Sequence, residues 1–387
     1  MRKKTFIILG VMVALAVVAT LTLAHTAQAV SVEQAIAQTP KGMEKGQLNM
    51  DAQPGFLGIP GAPQPFWFYG LLWAIWVGWI FSTVGAFGGI MAGVGHITIF
   101  GLADFGRAFK KTSPMLNKLI TDSIRVSNQW MVGLSALISS TNYYRMGRIV
   151  LPLGLFLAGG SVLGAFLIPV LTAGKIKLSA YIGYFGLCVF AIAFVLFYDT
   201  TEKGQAGKKA AKAAAKAFEE SVRAKDPAAT GVELSGTKIT SFSLTRVTFT
   251  FFGVEFSFNP LWPIIGGFFI AALAAFLGIG GGFLYVPFLT SVAGLPMYIV
   301  AGTSAVAVLV GMIISIFSYM VIKGVPVYWP LIGAELVGIF IGSIVGPYTS
   351  KYIPDIWLKR LFVILAIYVG LRYTTKGFLG YSIVPPF

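Results

Sequence analysis

The feature that most constrains this chain is a long uncharged stretch, from Phe256 to Ile322, that contains no Asp, Glu, Lys or Arg. A transmembrane helix needs about 20 apolar residues, so this stretch belongs in lipid. Small and polar residues nevertheless interrupt it at Gly278, Gly280, Gly281, Gly282, Gly302, Thr303 and Ser304. Glycine is a poor helix former, but it is tolerated at membrane depth where backbones approach closely or where a broken helix lines a cavity. We therefore predict a broken or re-entrant helix here.

The composition indicates a polytopic membrane protein. Of the 387 residues, 56% are hydrophobic and 11% are charged, whereas soluble proteins carry about 25% charged residues. The net charge of +15 does not indicate nucleic-acid binding, because the Lys and Arg residues lie between apolar spans, as the positive-inside bias expects. With two histidines and one cysteine there is no zinc-site spacing, and we expect no metal or cofactor. The sequence contains no visible nucleophile–base pair, so an enzyme is not expected.

The two halves of the chain resemble each other. The aligned pairs are Gly85 with Gly278, Gly88 with Gly281, Gly89 with Gly282, Ser127-Asn128-Gln129 with Gly302-Thr303-Ser304, and Pro152, Gly160, Gly164 and Pro169 with Pro330, Gly338, Gly342 and Pro347. Internal duplication of this kind is typical of secondary transporters. We predict an all-α integral membrane protein with two four-segment internal repeats, glycine-rich broken or re-entrant helices, and a small soluble connector.

The predicted organisation follows the charge pattern along the chain. It comprises residues 1–29, a signal peptide or first transmembrane helix; 30–64, an extracytoplasmic segment; 65–198, the first transmembrane repeat; 199–260, a cytoplasmic connector; 261–376, the second transmembrane repeat; and 377–387, a C-terminal tail. The lysine density of the connector places it in the cytoplasm, and its Thr-, Phe- and Val-rich end predicts a β-hairpin. An extra charged loop is expected at 104–125. We favour inverted repeats, which put the connector inside and this loop outside, while parallel repeats stay an alternative.

A motif in the second half is typical of a known family. In GIGGGFLYVPFL the glycines precede Val286 and Pro287, and Ala301-Gly302-Thr303-Ser304 lies in the helix that follows. This pattern resembles the signature of the TauE/SafE sulfite exporter family of membrane permeases. The resemblance implies the movement of small anions such as sulfite, sulfonates or sulfoacetate. In the first half Phe87 replaces a glycine of the motif.

The residues themselves also predict an anion site. Glycine-rich breaks expose backbone N–H groups, and helix N-termini carry positive partial charge. Thr303 and Ser304 can donate hydroxyl hydrogen bonds, and Asn128 and Gln129 can donate amide hydrogen bonds. Two facing breaks would hold a small oxyanion. The alternative is that the glycines only permit close packing and that the hydroxyls bond to their own helix.

Two ionisable residues within apolar spans are candidates for proton coupling. Glu335 is the only acid of the span 327–349, and an intramembrane carboxylate marks an ion or proton pathway by default. His96 follows the first glycine cluster and can titrate near neutral pH. A structural role for each is the alternative. Arg145, Arg148, Lys323 and Arg372 are expected at span ends, with their charges reaching the membrane surface. The alternative is that one of these cations lines an anion vestibule.

We therefore expect a multi-pass secondary transporter of the cell inner membrane that exports small anions, above all sulfur compounds, by alternating access coupled to the proton gradient. The alternatives are an importer or channel-like facilitator of small carboxylates, and a membrane sensor or anchor that signals through the connector. The expected partners are the small anion and the lipid bilayer, with a homodimer left open.

Overall fold

The computed structural model describes residues 31–85, 88–172, 182–206, 208–223, 236–277 and 281–384. The predicted leader, residues 1–29, lies outside these ranges, as do Gly278 and Gly280 of the predicted anion site. The described chain is mostly helical, with one small sheet between its two halves.

The first half contains one short helix in the amino-terminal segment and then a series of mostly apolar helices. These are α1 (Val32–Ala37), α2 (Trp67–Val84), α3 (Gly88–Val94), α4 (Leu102–Ala108), α5 (Pro114–Arg145), α6 (Leu151–Thr172) and α7 (Ile182–Tyr198). A π-helical turn, Gly95–Ile99, extends α3. Helix α2 ends at Gly85, whose φ of 85° is a conformation that glycine adopts without strain. Helix α5 begins with Ser113 as its N-cap, and the Ser113 hydroxyl accepts a hydrogen bond from Leu116 N.

The connector and the second half follow. Their helices are α8 (Glu202–Ala206), α9 (Lys209–Arg223), α10 (Leu261–Leu277), α11 (Tyr285–Pro287), α12 (Met297–Phe317), α13 (Trp329–Ser350) and α14 (Asp355–Phe378). A 3-10 turn, Gly281–Leu284, precedes α11, and a π-helical turn, Phe288–Val292, follows it. A second π-helical turn, Ser318–Ile322, extends α12.

Three of the described helices are long and apolar enough to cross a membrane: Trp67–Val84, Met297–Ile322 and Trp329–Ser350. Shorter apolar helices occur at Leu151–Ala165, Gly186–Tyr198, Leu261–Ala272 and Gly282–Val292. Large apolar side chains project outward from these or neighbouring helices at Phe194, Phe269, Phe340 and Ile364. Such exposed apolar surface suits contact with lipid rather than with water.

Helices α2 and α13 pack closely because glycines remove side chains from their interface. A Cβ atom on Gly338 would overlap the carbonyl oxygen of Leu71, and one on Gly342 would overlap that of Ile75. The contact advances by four residues along both helices, so α2 and α13 run in the same direction. Small residues allow this backbone approach in membrane proteins.

Helices α6 and α10 pack in the same manner. A Cβ atom on Gly160 would overlap the carbonyl oxygen of Ile264, and one on Gly164 would overlap that of Phe268. These two helices also run in the same direction. The glycines that the sequence alignment paired, at 160 and 164 and at 338 and 342, thus hold equivalent packing positions.

Helices α5 and α12 cross the centre of the molecule in opposite directions. A Cβ atom on Gly133 would lie 3.3 Å from Met312, and one on Gly302 would lie 2.6 Å from the Cβ of Tyr143. Helices α7 and α14 form the remaining large helix pair, in which Gly370 lies against the ring of Phe190.

The amino-terminal segment and the connector cover opposite ends of this helical bundle. Phe56 packs with Leu116 and Leu331, near the starts of α5 and α13. At the other end of α5, Thr237 of the connector donates a hydrogen bond to the carbonyl oxygen of Ile149 (2.6 Å). We call these the amino-segment end and the connector end.

The prediction of a charged loop at 104–125 is wrong, because these residues lie mostly in α4 and in the first turns of α5. The charges are compatible with a helix since they pair along it. Asp122 bonds both Lys118 (2.9 Å) and Arg125 (3.3 Å), at the spacing of one helical turn.

The connector contains a three-stranded antiparallel sheet rather than the predicted hairpin alone. Its strands are β1 (Lys238–Phe242), β2 (Val247–Phe251) and β3 (Val254–Phe258). Strands β2 and β3 form the hairpin, with positive φ angles at Phe252 and Gly253 as a two-residue turn requires. Helix α9 packs on this sheet through Phe218, whose ring stacks on that of Phe251.

Candidate functional site

Three predicted site residues meet in one buried cluster. His96 comes from the π-helical turn after α3, Asn128 from α5 and Glu335 from α13. His96 Nε2 lies 2.8 Å from Glu335 Oε2, and His96 Nδ1 lies 2.5 Å from Asn128 Oδ1. The side chains of His96 and Glu335 are 1% and 0% exposed. The sequence had placed Asn128 in the anion site and the other two in proton coupling, so the structure joins two predicted groups.

Two glycines make room for this cluster. A Cβ atom on Gly70 of α2 would lie 3.3 Å from Glu335 Cγ, so a larger residue there would crowd the carboxylate. Gly95 lies directly against the indole of Trp73, which lets the turn that carries His96 approach α2. The turn that carries His96 is π-helical, and π-helical turns are frequent at functional sites.

The geometry of the His96–Glu335 pair requires a shared proton. Because Asn128 Oδ1 is an acceptor, His96 Nδ1 carries the hydrogen of that bond. A hydrogen bond between His96 Nε2 and Glu335 Oε2 then needs one proton on either atom. The pair is electrically neutral in both forms. Loss of this proton gives the pair one negative charge, and a second proton gives it one positive charge.

The second oxygen of the Glu335 carboxylate makes no hydrogen bond to a described residue. Glu335 Oε1 is buried and has no hydrogen-bond partner among the described residues, and the same holds for Trp73 Nε1. A buried polar atom without a partner costs free energy. Glu335 Oε1 is therefore the atom of the pair at which a further proton, water or ligand would bind.

A polar face of α5 extends from this cluster toward the connector end. Asn128, Ser135, Ser139 and Asn142 follow one another at spacings of seven, four and three residues, which places them on one side of a helix with about 3.6 residues per turn. Ser135 Oγ lies 2.7 Å from the hydroxyl of Ser343 on α13. Ser139 Oγ and Asn142 Nδ2 are buried without partners among the described residues. This polar face suits a path for water or a polar solute.

The two glycine-rich breaks lie next to each other. A Cβ atom on Gly85 would lie 2.7 Å from Val286 Cγ2 and 3.0 Å from Ser304 Oγ. Helix α3 contacts the 3-10 turn Gly281–Leu284, which carries Gly281 and Gly282. The two segments are thus neighbours in the fold, and their role in holding an anion stays a prediction.

The other two glycines of the first break contact apolar side chains. A Cβ atom on Gly88 would lie 2.5 Å from the Cβ of Phe81, so Gly88 allows α3 to fold against α2. Gly89 faces Val132 of α5, at 3.4 Å. These contacts are what the packing alternative predicted for the glycines.

The predicted hydroxyl and amide donors differ in their surroundings. Thr303 Oγ1 accepts a hydrogen bond from Val150 N (3.1 Å), next to the start of α6, and Ser304 Oγ donates to Ala301 O of its own helix (3.1 Å). Gln129 Oε1 is buried without a partner among the described residues. Ser304 thus bonds its own helix, as the alternative expected, whereas Thr303 bonds the backbone at the start of α6. The unpartnered atom of Gln129 is its carbonyl oxygen, an acceptor and not the predicted amide donor.

The predicted span-end cation Arg148 is buried. Arg148 was expected to extend its charge toward the membrane surface, but its side chain is 2% exposed, whereas Arg145 is exposed. Arg148 lies at the connector end and bonds Tyr298 O, Pro347 O and Ser350 Oγ. Its hydrogen-bond partners are 150 or more positions away along the chain, so the sequence around Arg148 could not reveal them.

Comparison with known proteins supports a transport role. The model of the family described as sulfite exporter TauE/SafE matches residues 69–373. A protein of Methanocaldococcus jannaschii, named a probable membrane transporter protein, is 35% identical over 122 residues, which are 30% of this chain and 45% of that protein. The match thus spans less than half of that relative. No solved structure matches the chain.

Proposed function

Because the chain belongs to the TauE/SafE sulfite exporter family, and is thus a membrane transporter and not an enzyme, we propose that it exports small anions by alternating access with proton coupling. Sulfite and organosulfonates are the proposed substrates, in line with the family's description. We also propose that the protein is a multi-pass protein of the cell inner membrane, with the connector in the cytoplasm.

The buried His96–Glu335 pair is the observation that carries this proposal. An ionisable pair inside an apolar helical bundle is expensive, and such pairs mark substrate or proton pathways. The pair joins the segment after the first glycine break to α13, with Asn128 of α5 as the third member. A site made of three separate elements can change when those elements move.

Alternating access is supported by how the two halves pack. Helix α2 of the first half runs alongside α13 of the second, and α10 of the second half runs alongside α6 of the first. Such an exchange arises from two repeats related by a two-fold axis, and the opposite directions of the equivalent helices α5 and α12 favour inverted topology. We propose that the two repeats rock against each other around the adjacent glycine breaks and the polar face of α5.

The charge of the pair links proton binding to anion binding. A second proton makes the pair positive and attracts an anion, whereas loss of the shared proton makes it negative and repels an anion. Linkage is reciprocal, so a bound anion favours proton binding by the same factor. A divalent anion that moves with one proton still carries one negative charge outward. An inside-negative potential favours that movement by about 2.3 kcal/mol per 100 mV.

The test uses the purified full-length protein in liposomes loaded with sulfite. Efflux is measured after an inside-negative potential is imposed with potassium and valinomycin, over a range of pH values, and sulfoacetate and small carboxylates are tested in parallel. We expect protein-dependent sulfite efflux that follows the potential and varies with pH. If none of these anions moves, the proposed function is wrong. Flux in the inward direction alone would favour an importer.

A pair of matched variants tests the role of the carboxylate. Glu335→Gln removes the proton site, so its efflux should lose its dependence on pH. Glu255→Gln makes the same chemical change on the exposed strand β3, and its pH profile should equal that of the wild type. An unaltered pH profile in Glu335→Gln would exclude Glu335 from coupling.

A further inference from the structure

We propose that Arg148 forms a second binding site for a small oxyanion, at the connector end of the polar face of α5. This inference rests on the proposed function, because it assumes that an anion moves along that face. Arg148 was not among the predicted site residues, and the fold buries it where the two halves of the chain meet.

The charge of Arg148 has no counter-ion among the described residues. No carboxylate lies within ion-pair distance of it. The acids nearby are committed to other groups, since Asp355 pairs with Lys359 (2.7 Å) and Glu219 accepts a hydrogen bond from the hydroxyl of Tyr298 (2.9 Å). Arginine stays protonated in proteins. A buried cation with no anion is costly, so the site favours an anionic ligand.

The guanidinium also has hydrogen-bonding capacity left. An arginine has five N–H donors, and three of them point to Tyr298 O (3.0 Å), Pro347 O (3.2 Å) and Ser350 Oγ (3.4 Å). The remaining two, one on each terminal nitrogen, make no hydrogen bond to a described residue. The planar guanidinium fork matches the oxygens of a carboxylate or phosphate, and a sulfite or sulfonate group presents oxygens in a similar arrangement.

The surroundings of Arg148 suit a site that releases its ligand. In the absence of an anion, two carbonyl groups, a hydroxyl and three aromatic rings solvate the charge, with the rings of Tyr143, Phe218 and Tyr298 centred 4.6, 5.0 and 5.4 Å from Cζ. An anion that binds must compete with these groups, which weakens its binding. A carrier needs this property, because a bare cation would retain the anion.

Arg148 is linked, through the hydroxyl of Ser350, to Tyr143 in the last turn of α5, beside the end of its polar face. Tyr143 lies one position after Asn142 on that helix, and its hydroxyl bonds Ser82 O (2.5 Å) and Ser350 Oγ (3.2 Å). Arg148 bonds the same Ser350 hydroxyl. On the side of the connector, the ring of Phe218 in α9 covers the guanidinium. An anion that passes from the His96–Glu335 pair to the connector end therefore meets Arg148 before it meets the connector.

Equilibrium binding of sulfite to the purified full-length protein in nanodiscs tests this inference, independently of transport. We expect Arg148→Gln to weaken sulfite binding at least tenfold. Arg145→Gln removes the same charge three residues away at an exposed position and should change binding less than twofold. Arg148→Lys keeps the charge without the fork and should weaken binding between threefold and tenfold. If Arg148→Gln does not fold, the sulfite affinity of Arg148→Lys tests the inference.

The outcomes separate the two proposals. Unchanged sulfite affinity in a folded Arg148→Gln or Arg148→Lys variant overturns the Arg148 site even if the protein transports sulfite. Conversely, sulfite binding that depends on Arg148, in a protein that moves no anion in liposomes, would support the site and reject the proposed transport function. In the transport assay, Arg148→Gln should raise the KM for sulfite while the pH profile keeps its shape, because the His96–Glu335 pair is intact. A loss of rate with an unchanged KM would indicate a merely structural role.

Discussion

The costs of removing His96 and Glu335 one at a time should sum to far more than the cost of removing both together. In His96→Leu, the Glu335 carboxylate stays buried without a partner, a situation that costs about 3–5 kcal/mol. In Glu335→Leu, His96 Nε2 loses its partner (now 2.8 Å away), and one unsatisfied buried polar group costs about 1–3 kcal/mol. The double variant leaves neither group, so these two penalties do not add.

The interaction energy can be calculated from a double-mutant cycle. The loss of the His96 bond to Asn128 occurs both in His96→Leu and in the double variant, so this cost cancels. What remains is the coupling of the pair, which the two penalties above put at about 4 kcal/mol, above the roughly 0.5–3 kcal/mol usual for residues in contact.

The measurement is the free energy of unfolding in detergent micelles, followed by circular dichroism as sodium dodecyl sulfate is added. A control cycle combines His96→Leu with Glu220→Leu, since Glu220 is exposed on α9. Its two effects should add within about 0.5 kcal/mol. A coupling of similar size in both cycles would refute the reasoning, because it would mean that His96 and Glu335 do not interact directly.

Two further predictions concern the close packing and the predicted hydroxyl donors. Gly342→Leu should prevent folding or strongly lower the midpoint of thermal unfolding, because even a Cβ atom at position 342 would overlap Ile75 O. Gly333→Ala is the control on the same helix: a Cβ atom there has no packing neighbour within 4 Å, so this variant should unfold at the wild-type temperature. Thr303→Val should lose about 1–3 kcal/mol of unfolding free energy because Val150 N loses its acceptor, and Thr303→Ser, which keeps the hydroxyl, should not. If Thr303→Ala and Ser304→Ala both transport sulfite at the wild-type rate, their predicted role in anion binding is wrong.

The membrane class and much of the helix packing could be predicted from local patterns. In lipid, the backbone N–H and C=O groups of an uncharged apolar stretch need hydrogen-bond partners within the protein, and a helix supplies these partners from its own backbone. The glycines at 160, 164, 338 and 342 align within one chain, and the structure gives them the same packing task. The family motif at Val286–Pro287 and Thr303–Ser304 agrees with the family match over residues 69–373.

The predictions that the structure changed concern two charged or polar segments, the predicted loop at 104–125 and the connector. The loop expected at 104–125 is helical because Asp122 neutralises two neighbouring cations, and because the amino-terminal segment packs on the apolar side of α5. The expected hairpin has a third strand, β1, whose pairing with β2 depends on the fold of the connector. Charge alone did not distinguish these helices from loops.

The sequence by itself determined that this protein lies in a membrane, that its halves are related, and that an acid and a histidine occur within apolar spans. It could not show that Glu335 and His96, which are 239 residues apart, share one proton. It also could not distinguish the buried Arg148 from the exposed Arg145, because both lie at the end of the same helix. Pattern and hydropathy depend on neighbours along the chain, whereas the pairing and solvation of a charge depend on groups that only tertiary packing brings within 3 to 4 Å.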